Sequence, residues 1–167
     1  MGVSGSGKST IGRALAERLH WRFAEGDEFH SAANVAKMRA GIALTDEDRA
    51  PWLDAIAAWI RSTRASGERC VIACSALKRA YRERIAGERD DVRFVHLAGD
   101  HDTIASRLAQ RTGHYMPLSL LKSQFDALEP PAPDDAVVVS VDSPPEAVVA
   151  KVLRQLSLVP GDTDPHS

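Results

Sequence analysis

Hydrophobic residues recur along the chain with two alternating periods, about 3.6 residues in some segments and two in others. The first helical stripe follows a Gly-rich start and consists of Ile11, Ala14, Leu15 and Leu19. The apolar run at 70–74 predicts a strand that is buried on both faces. Runs at 21–24, 92–97 and 137–141 predict three more strands. The alternation of the two periods is typical of an α/β protein.

Helix starts are marked by proline and by capping residues. Pro51 predicts the start of a helix whose apolar stripe is Trp52, Ile56, Trp59 and Ile60. Residues 143–146, Ser-Pro-Pro-Glu, have the spacing of a capping box and predict the start of the last helix. Two further helices are predicted around 104–108 and 121–128.

The length of 167 residues fits one domain, which we assign to 1–159 with a flexible tail at 160–167. A formal charge of −2 provides no basic surface for nucleic acid or for a membrane. No run approaches the roughly 18 apolar residues of a membrane span, and the first residues do not resemble a secretory signal. Cys70 and Cys74 lack the partners of a zinc site and are predicted to be buried, reduced thiols. We therefore expect a cytoplasmic protein.

The Gly-rich start matches a phosphate-binding loop in full, with Gly2, Gly7, Lys8 and Ser9 at its fixed positions. Glycines let successive backbone N–H groups turn towards an anion, and the N-terminus of the following helix adds positive potential. Lys8 is predicted to reach the β- and γ-phosphate oxygens of ATP, and the Ser9 hydroxyl to ligate Mg²⁺. The alternative is a Gly/Ser turn that precedes a helix by chance.

Other sequence features narrow the class of phosphate-loop protein. The chain has no Asn-Lys-x-Asp motif for guanine and no Leu-Ser-Gly-Gly-Gln signature, and it is too short for a transporter ATPase. Small nucleotide and metabolite kinases remain. By themselves, these residues and their spacing predict only a small hydroxylated acid as the acceptor.

Five segments together resemble the gluconokinase family. They are EGDEFH (25–30), KMRAG (37–41), LTDEDRAPWL (44–53), CSALKRAYR (74–82) and RLAQRTGHY (107–115). The resemblance extends from about residue 2 to residue 156. It implies ATP-dependent phosphorylation of D-gluconate to 6-phospho-D-gluconate, and a homodimer. It also implies a three-layer α/β P-loop kinase fold with a parallel sheet in the order 2-3-1-4-5.

Asp27 follows a predicted strand, at the edge where parallel sheets bind their ligands. A carboxylate there can accept the proton of the substrate hydroxyl during phosphoryl transfer, and we predict this role together with substrate binding. The alternative is a solvated acid in a turn. Glu25, two residues earlier, is predicted to hold Mg²⁺ through a water molecule, although similar kinases often have Asp there.

Four basic residues are candidates for binding the carboxylate of the acceptor: His30, Arg49, Lys78 and Arg82. Lys78 and Arg82 are four residues apart, and they share a helix face if that helix begins at 75–76. For each of the four, the alternative is an ordinary surface charge. Arg49 could also belong to the charged start of a helix.

Arg107 and Arg111 are also four residues apart, and a flexible Gly113-His114 corner follows. We predict a lid at about 107–117 that brings guanidinium charge to the transferring phosphoryl group. Lys8, Asp27 and Arg111 are the predicted catalytic residues. The predicted ATP-binding residues are Gly2, Val3, Ser4, Gly5, Ser6, Gly7, Lys8, Ser9, Thr10 and Arg107.

A phosphate loop follows a strand, but here Met1 directly precedes Gly2. The resemblance puts that strand in the middle of the sheet, between the strands of 70–74 and 92–97. We therefore expect the first strand to be missing from this chain, and roughly 8–20 residues to precede Met1 in the native protein. The alternative to a missing start is a truncated ATP-binding paralogue without activity. For the acceptor, the alternative to gluconate is a sister kinase for shikimate or a nucleoside.

Overall fold

The computed structural model describes residues 1–110 and 118–159. Its helices are α1 (Lys8–Leu19), α2 (Ala32–Arg39), α3 (Asp46–Ala65), α4 (Arg79–Ala86), α5 (His101–Ala109), α6 (Leu118–Ala127) and α7 (Pro145–Gln155). Its strands are β1 (Arg22–Glu25), β2 (Cys70–Ala73), β3 (Val95–Ala98) and β4 (Val137–Ser140). A short 3-10 turn, Gly26–Phe29, follows β1 directly.

The strands form two parallel pairs, and the first two residues of the chain lie between them. Strand β1 pairs with β2, and β3 pairs with β4. The Leu97 N–H donates to the Met1 carbonyl at 2.9 Å, and the Gly2 N–H donates to the Ser75 carbonyl at 3.1 Å. The spatial order is therefore β1, β2, residues 1–2, β3, β4, which matches the predicted family order.

Helices cover both faces of these strands. One apolar cluster joins α1 and α7 to β3 and β4, and it includes Val71 of β2. A second cluster joins α3 and α4, and it includes Ile72, the next residue along the same strand. Successive side chains of a strand point to opposite faces, so these clusters lie on opposite sides of the sheet. The predicted three-layer α/β fold is confirmed.

A cavity of about 1230 Å³ opens between β2 and β3. Its walls include residues 70–74, residues 91–95 and apolar residues of α1 and α3. Val71 and Ile72 are only half-buried although they belong to a continuous apolar run. Within the described ranges no strand pairs with the facing edges of β2 and β3. We call this cavity the strand slot.

Two helix starts and one helix cap differ from the sequence predictions. Helix α3 begins at Asp46 instead of Pro51, because Thr45 and Asp48 form a reciprocal capping box there. Helix α7 has Pro144 as its N-cap without a side-chain bond, so the capping box predicted at 143–146 is wrong. Helix α4 begins at Arg79 instead of 75–76, with Lys78 as its N-cap.

The two thiols are free. Cys74 is buried, as predicted, but Cys70 is only half-buried because it borders the strand slot. Burial raises the pKa of both thiols to about 11. The described residues contain no cluster of three groups that could hold a metal ion, and none of their helices is long and apolar enough to cross a membrane.

Candidate active site

The phosphate loop turns sharply between residues 1–2, which lie beside β3, and the start of α1. Gly5 and Gly7 have φ angles of 81° and 90°, the left-handed region that favours glycine. Gly7 is the N-cap of α1, so the free N–H groups of that helix face the loop. The Lys8 ammonium folds back over the loop and donates to the Val3 carbonyl at 3.0 Å.

Ser6 lies at the bottom of the loop and is 1% exposed. Its hydroxyl is buried without a hydrogen-bond partner among the described residues. An unsatisfied buried donor costs about 1–3 kcal/mol, so a hydroxyl in this position favours an incoming acceptor such as a phosphate oxygen. Together with the N-terminus of α1, it makes the loop fit a nucleotide phosphate chain.

Ser9 and Glu25 link the phosphate loop to the end of β1. The Ser9 hydroxyl donates to Glu25 Oε2 at 3.0 Å, and Arg13 Nη2 donates to Glu25 Oε1 at 3.1 Å. A hydroxyl and a carboxylate are oxygen ligands of the kind that Mg²⁺ prefers, directly or through water. The predicted pair for Mg²⁺ is thus in direct contact in the structure. Thr10, the next residue of α1, is exposed.

Asp27 is exposed in the 3-10 turn directly after β1. The turn packs closely on the end of β2, since a Cβ on Gly26 would lie 2.9 Å from the Ala73 carbonyl oxygen. Trp52 Nε1 donates to the Gly26 carbonyl at 2.7 Å and holds the turn from the other side. Besides burial, the charges of Asp27 and Lys8 act in opposite directions on the pKa of the Cys74 thiol, so both groups lie near this residue at the end of β2.

His30 stacks on the Trp52 ring, with 4.4 Å between ring centroids and 12° between planes. Burial lowers the pKa of His30, and the nearby Arg49 charge lowers it further, while Asp27 acts in the opposite direction. The imidazole is therefore neutral at pH 7, not the cation that the sequence analysis expected. A neutral His30 can still exchange a hydrogen bond with a substrate hydroxyl.

A polar cluster surrounds the start of α3. The Lys78 ammonium donates to both carboxylate oxygens of Asp46 at 2.8 Å, and the Tyr81 hydroxyl also donates to Asp46. These hydrogen bonds, with Lys78 the larger contributor, lower the pKa of Asp46. The Arg49 guanidinium lies 6.0 Å from the centroid of the Tyr81 ring. We call Asp46, Arg49, Lys78 and Tyr81 the acceptor cluster.

Arg82 does not join this cluster. It is 5% exposed, and its Nη1 donates to the carbonyls of Ala76 and Leu77 at 3.2 and 3.1 Å. Because α4 begins at Arg79, Arg82 lies on the buried face of its first turn, whereas Lys78 stands at the N-cap. The geometry corrects the predicted pairing of the two basic residues: Arg82 supports the loop that carries Lys78.

The lid residues are only partly described. Arg107 Nη2 donates to the Val141 carbonyl, just after β4, at 2.5 Å. Arg111 and most of the predicted lid lie outside the described residues. After the lid, Gln124 of α6 forms two hydrogen bonds with Ser4 of the phosphate loop.

Comparison with known proteins agrees with this arrangement. The shikimate kinase family pattern matches residues 4–157. A gluconokinase of Gluconobacter oxydans is 47% identical over 92% of this chain and 87% of its own length. This chain belongs to the gluconokinase family. A gluconokinase structure from Sinorhizobium meliloti is 45% identical, covers 94% of this chain and 89% of its own, and superposes with a TM-score of 0.85. A sugar kinase from a Janibacter species, also 45% identical, covers 96% and 93% with a TM-score of 0.89.

Sequence reasoning did not assign a role at the site to several residues that the structure brings there. The sequence predicts only a packing role for Trp52. It places Asp46 and Tyr81 within family motifs without a separate role, and it predicts no contact for Gln124. Each of them acts through a partner that is distant in the sequence, and the spacing of residues along the chain does not reveal such partners.

Proposed function

We propose that this protein is a cytoplasmic gluconokinase, which transfers the γ-phosphoryl group of ATP to D-gluconate and releases 6-phospho-D-gluconate and ADP. The observation that carries the proposal is the meeting of three features at one sheet edge. They are the phosphate loop, the exposed Asp27 carboxylate and the acceptor cluster with its two cations. The family membership supports gluconate over other acceptors. Association into a homodimer stays a prediction.

Asp27 accepts the proton of the acceptor hydroxyl as that oxygen bonds to the γ-phosphorus and the bond to the bridging oxygen breaks. The Ser9–Glu25 contact brings the end of β1 next to the phosphate loop. An exposed carboxylate two residues beyond Glu25 can therefore reach a hydroxyl aligned for in-line attack. The 3-10 turn is held by Trp52 and by the end of β2, so Asp27 starts from a fixed backbone.

Lys8, Ser9 and Glu25 are suited to the nucleotide side of the reaction. Lys8 can exchange the Val3 carbonyl for phosphate oxygens, since an ammonium prefers an anion to a neutral acceptor. Ser9 and Glu25 would hold Mg²⁺, which neutralises phosphate charge when bound. Arg107 and Arg111 are proposed to add charge from the lid.

The acceptor cluster suits a polyhydroxylated acid. Arg49 offers a guanidinium for the carboxylate of the acceptor, and the neutral His30 and the Asp46–Lys78 pair offer donors and acceptors for hydroxyl groups. A flat aromatic acceptor would use fewer of these groups. This distribution supports a linear sugar acid.

The deciding experiment measures ADP release with MgATP and a panel of acceptors: D-gluconate, shikimate, nucleosides and other sugar acids. We expect D-gluconate to have the highest kcat/KM, with 6-phospho-D-gluconate identified by mass spectrometry and NMR. If shikimate or a nucleoside is phosphorylated as well as gluconate, the assignment of the acceptor is wrong. Binding of MgATP without transfer to any acceptor would instead indicate an inactive paralogue.

A further inference from the structure

Gln124, in the middle of α6, holds the phosphate loop from outside the sequence motif. Its Oε1 accepts a hydrogen bond from the Ser4 backbone N–H at 2.6 Å, and its Nε2 donates to the Ser4 hydroxyl at 3.2 Å. The two residues are 120 positions apart in the chain. A carboxamide that uses both of its ends on one residue fixes that residue in orientation as well as position.

The Ser4 N–H belongs to the same planar unit as the Val3 carbonyl. On the carbonyl side, the Val3 oxygen accepts from Lys8 Nζ at 3.0 Å and, at 3.3 Å, from the Ser6 N–H. On the other side, the Ser4 N–H donates to Gln124 Oε1. The Val3–Ser4 peptide is thus held from both ends, and Lys8 is one of the two donors to its carbonyl.

Binding of ATP changes only one end of this arrangement. Under the proposed function, Lys8 leaves the Val3 carbonyl to contact phosphate oxygens, and the strongest donor on that side is lost. Gln124 then remains as the side chain that keeps the peptide from rotating. A loop that must be ordered during binding binds its ligand more weakly than a loop that is already ordered.

Helix α6 is itself anchored next to the acceptor cluster. Glu129, two residues beyond the helix, accepts from the Arg79 N–H at 2.6 Å, and its own N–H donates to the Leu77 carbonyl at 2.9 Å. Lys78 lies between these two contacts, at the N-cap of α4. One short helix therefore connects the backbone around Lys78 to the backbone of the phosphate loop.

We infer that Gln124 is a positioning residue for the nucleotide: it holds the Val3–Ser4 peptide in the conformation that binds the phosphates of ATP. The inference rests on the proposed function only in taking the loop to bind ATP, and it does not depend on which acceptor is used. Loss of the carboxamide leaves the loop residues in place but no longer fixes their conformation. We therefore expect the affinity for ATP to decrease.

The test compares Gln124→Leu, which keeps the size of the side chain, with Asp126→Asn on the exposed face of the same helix. Among the described residues Asp126 pairs with Lys122 at the surface, and it serves as the matched control. The dissociation constant of MgATP is measured by calorimetry on the full chain without acceptor. We expect Gln124→Leu to weaken MgATP binding about tenfold or more, as two net hydrogen bonds imply. Asp126→Asn is expected to bind as the unchanged protein does.

Ser4→Ala adds a second arm, because it removes the hydroxyl contact but keeps the N–H contact. We expect it to weaken MgATP binding only a few-fold, and to add little when combined with Gln124→Leu. Gln124→Glu keeps an acceptor for the Ser4 N–H, and hydrogen exchange at that amide should stay slow in it. This variant also provides the comparison if Gln124→Leu does not fold.

Three results would each overturn the inference. The first is unchanged MgATP affinity in Gln124→Leu, and the second is fast exchange of the Ser4 amide in the unchanged protein. The third is an equal loss of affinity for MgATP and for gluconate together with a lower Tm, which would mean that Gln124 only supports the fold. A protein that binds MgATP but does not phosphorylate gluconate would refute the proposed function and leave this comparison decisive.

Discussion

Asp46 takes no part in the proposed transfer step itself, yet it orients two of the four side chains in the acceptor cluster. Its carboxylate binds the Lys78 ammonium and the Tyr81 hydroxyl, and Arg49 lies beside the same tyrosine ring. Without it, Lys78 would be a flexible side chain with many rotamers. The cluster depends on this one exposed carboxylate for its shape.

We therefore expect Asp46→Asn to raise the KM for gluconate several-fold, since the amide cannot make the charge-assisted hydrogen bond that holds the Lys78 ammonium in place. The KM for ATP should stay unchanged. Asp54→Asn is the control, because Asp54 is on the same helix, equally exposed, and paired with Arg84 away from the site. Equal effects of the two changes on gluconate would contradict the role of Asp46.

Asp27→Asn tests the proton acceptor. The amide keeps the shape of the side chain but cannot accept the proton, so kcat should fall about 10²-fold or more. Affinity for MgATP, measured by calorimetry, should stay within about twofold, because Asp27 is on the acceptor side of the Ser9–Glu25 contact. An unchanged kcat would assign the role to another group.

Lys8→Ala tests the phosphate loop. Under the proposed function, the ammonium stabilises charge that develops on the transferring group, and the loss of one such donor typically costs about 10²–10³ in kcat. The fold should survive, because Lys8 is not part of the buried core and its hydrogen bond to the Val3 carbonyl lies within the loop. If the far-UV circular dichroism is native and more than about a tenth of kcat remains, the loop does not have the role proposed for it.

At the scale of elements, the first turn of α3 delivers two members of the acceptor cluster, Asp46 and Arg49. The turn is fixed by the capping box, in which the Thr45 hydroxyl accepts from the Asp48 N–H and the Asp48 carboxylate accepts from the Thr45 N–H. Lys37 of α2 also donates to both oxygens of Asp48, at 2.7 and 2.8 Å. The start of the helix is therefore both a structural cap and a part of the site.

Thr45→Ala is expected to lower the free energy of unfolding by about 1 kcal/mol, the usual cost of losing an N-cap. It should also raise the KM for gluconate a few-fold, because fraying of the first turn displaces Asp46. Chemical denaturation and steady-state kinetics measure the two effects. Thr45→Ser keeps the cap and should restore both values; failure to restore them would show that the hydroxyl is not the cause.

For the whole molecule, the main feature is the strand slot. The Met1 amine lies at its end and donates to the Val95 carbonyl. Burial, with help from the Lys8 and Arg82 charges, lowers the pKa of this amine from 8.0 to about 5. The neighbouring His96 has its pKa lowered in the same direction, mainly by burial. Burial in the middle of the sheet thus disfavours the protonated forms of the Met1 amine and the His96 imidazole.

In a chain whose first residue is Met1, stability should accordingly fall on acidification. The unfolded amine takes up a proton below its ordinary pKa of 8.0, whereas the folded amine resists until about pH 5. Stabilisation by this group is complete above pH 8 and is lost between pH 8 and pH 5, by up to about 4 kcal/mol. His96 adds a further loss below about pH 6.5. Denaturation curves between pH 5 and pH 8.5 measure the slope.

Two engineered extensions before Met1 would separate the effect of the buried amine on stability from the effect of the unfilled strand slot. A segment of about six β-branched residues should pair with both facing strand edges, raise Tm by several degrees and flatten the pH dependence. A Gly-Ser segment of equal length should only flatten it, because it removes the buried amine but cannot fill the cavity. Equal Tm values for the two extensions would mean that the strand slot does not accept a strand.

The sequence by itself determined the features that depend on neighbouring residues. Three features depend only on residues that are neighbours in the sequence, because backbone conformation is largely local. They are the phosphate loop, the turn with Asp27 after a strand, and the alternation of helices and strands. Helix starts were less certain, and α3 began five residues before Pro51, since a capping box at Thr45 outweighs the preference for proline in the first turn.

Only the tertiary structure decided which distant residues meet. Arg82 turned inward while Lys78 turned to Asp46, a difference of one helical turn that follows from where α4 begins. Burial of His30, whose ring stacks on Trp52, lowers the pKa of an imidazole that the sequence motif predicts to be a cation. The contact between Gln124 and Ser4 spans most of the chain. Such pairs form because packing brings their elements together, so their contacts cannot be predicted from the pattern of neighbouring residues.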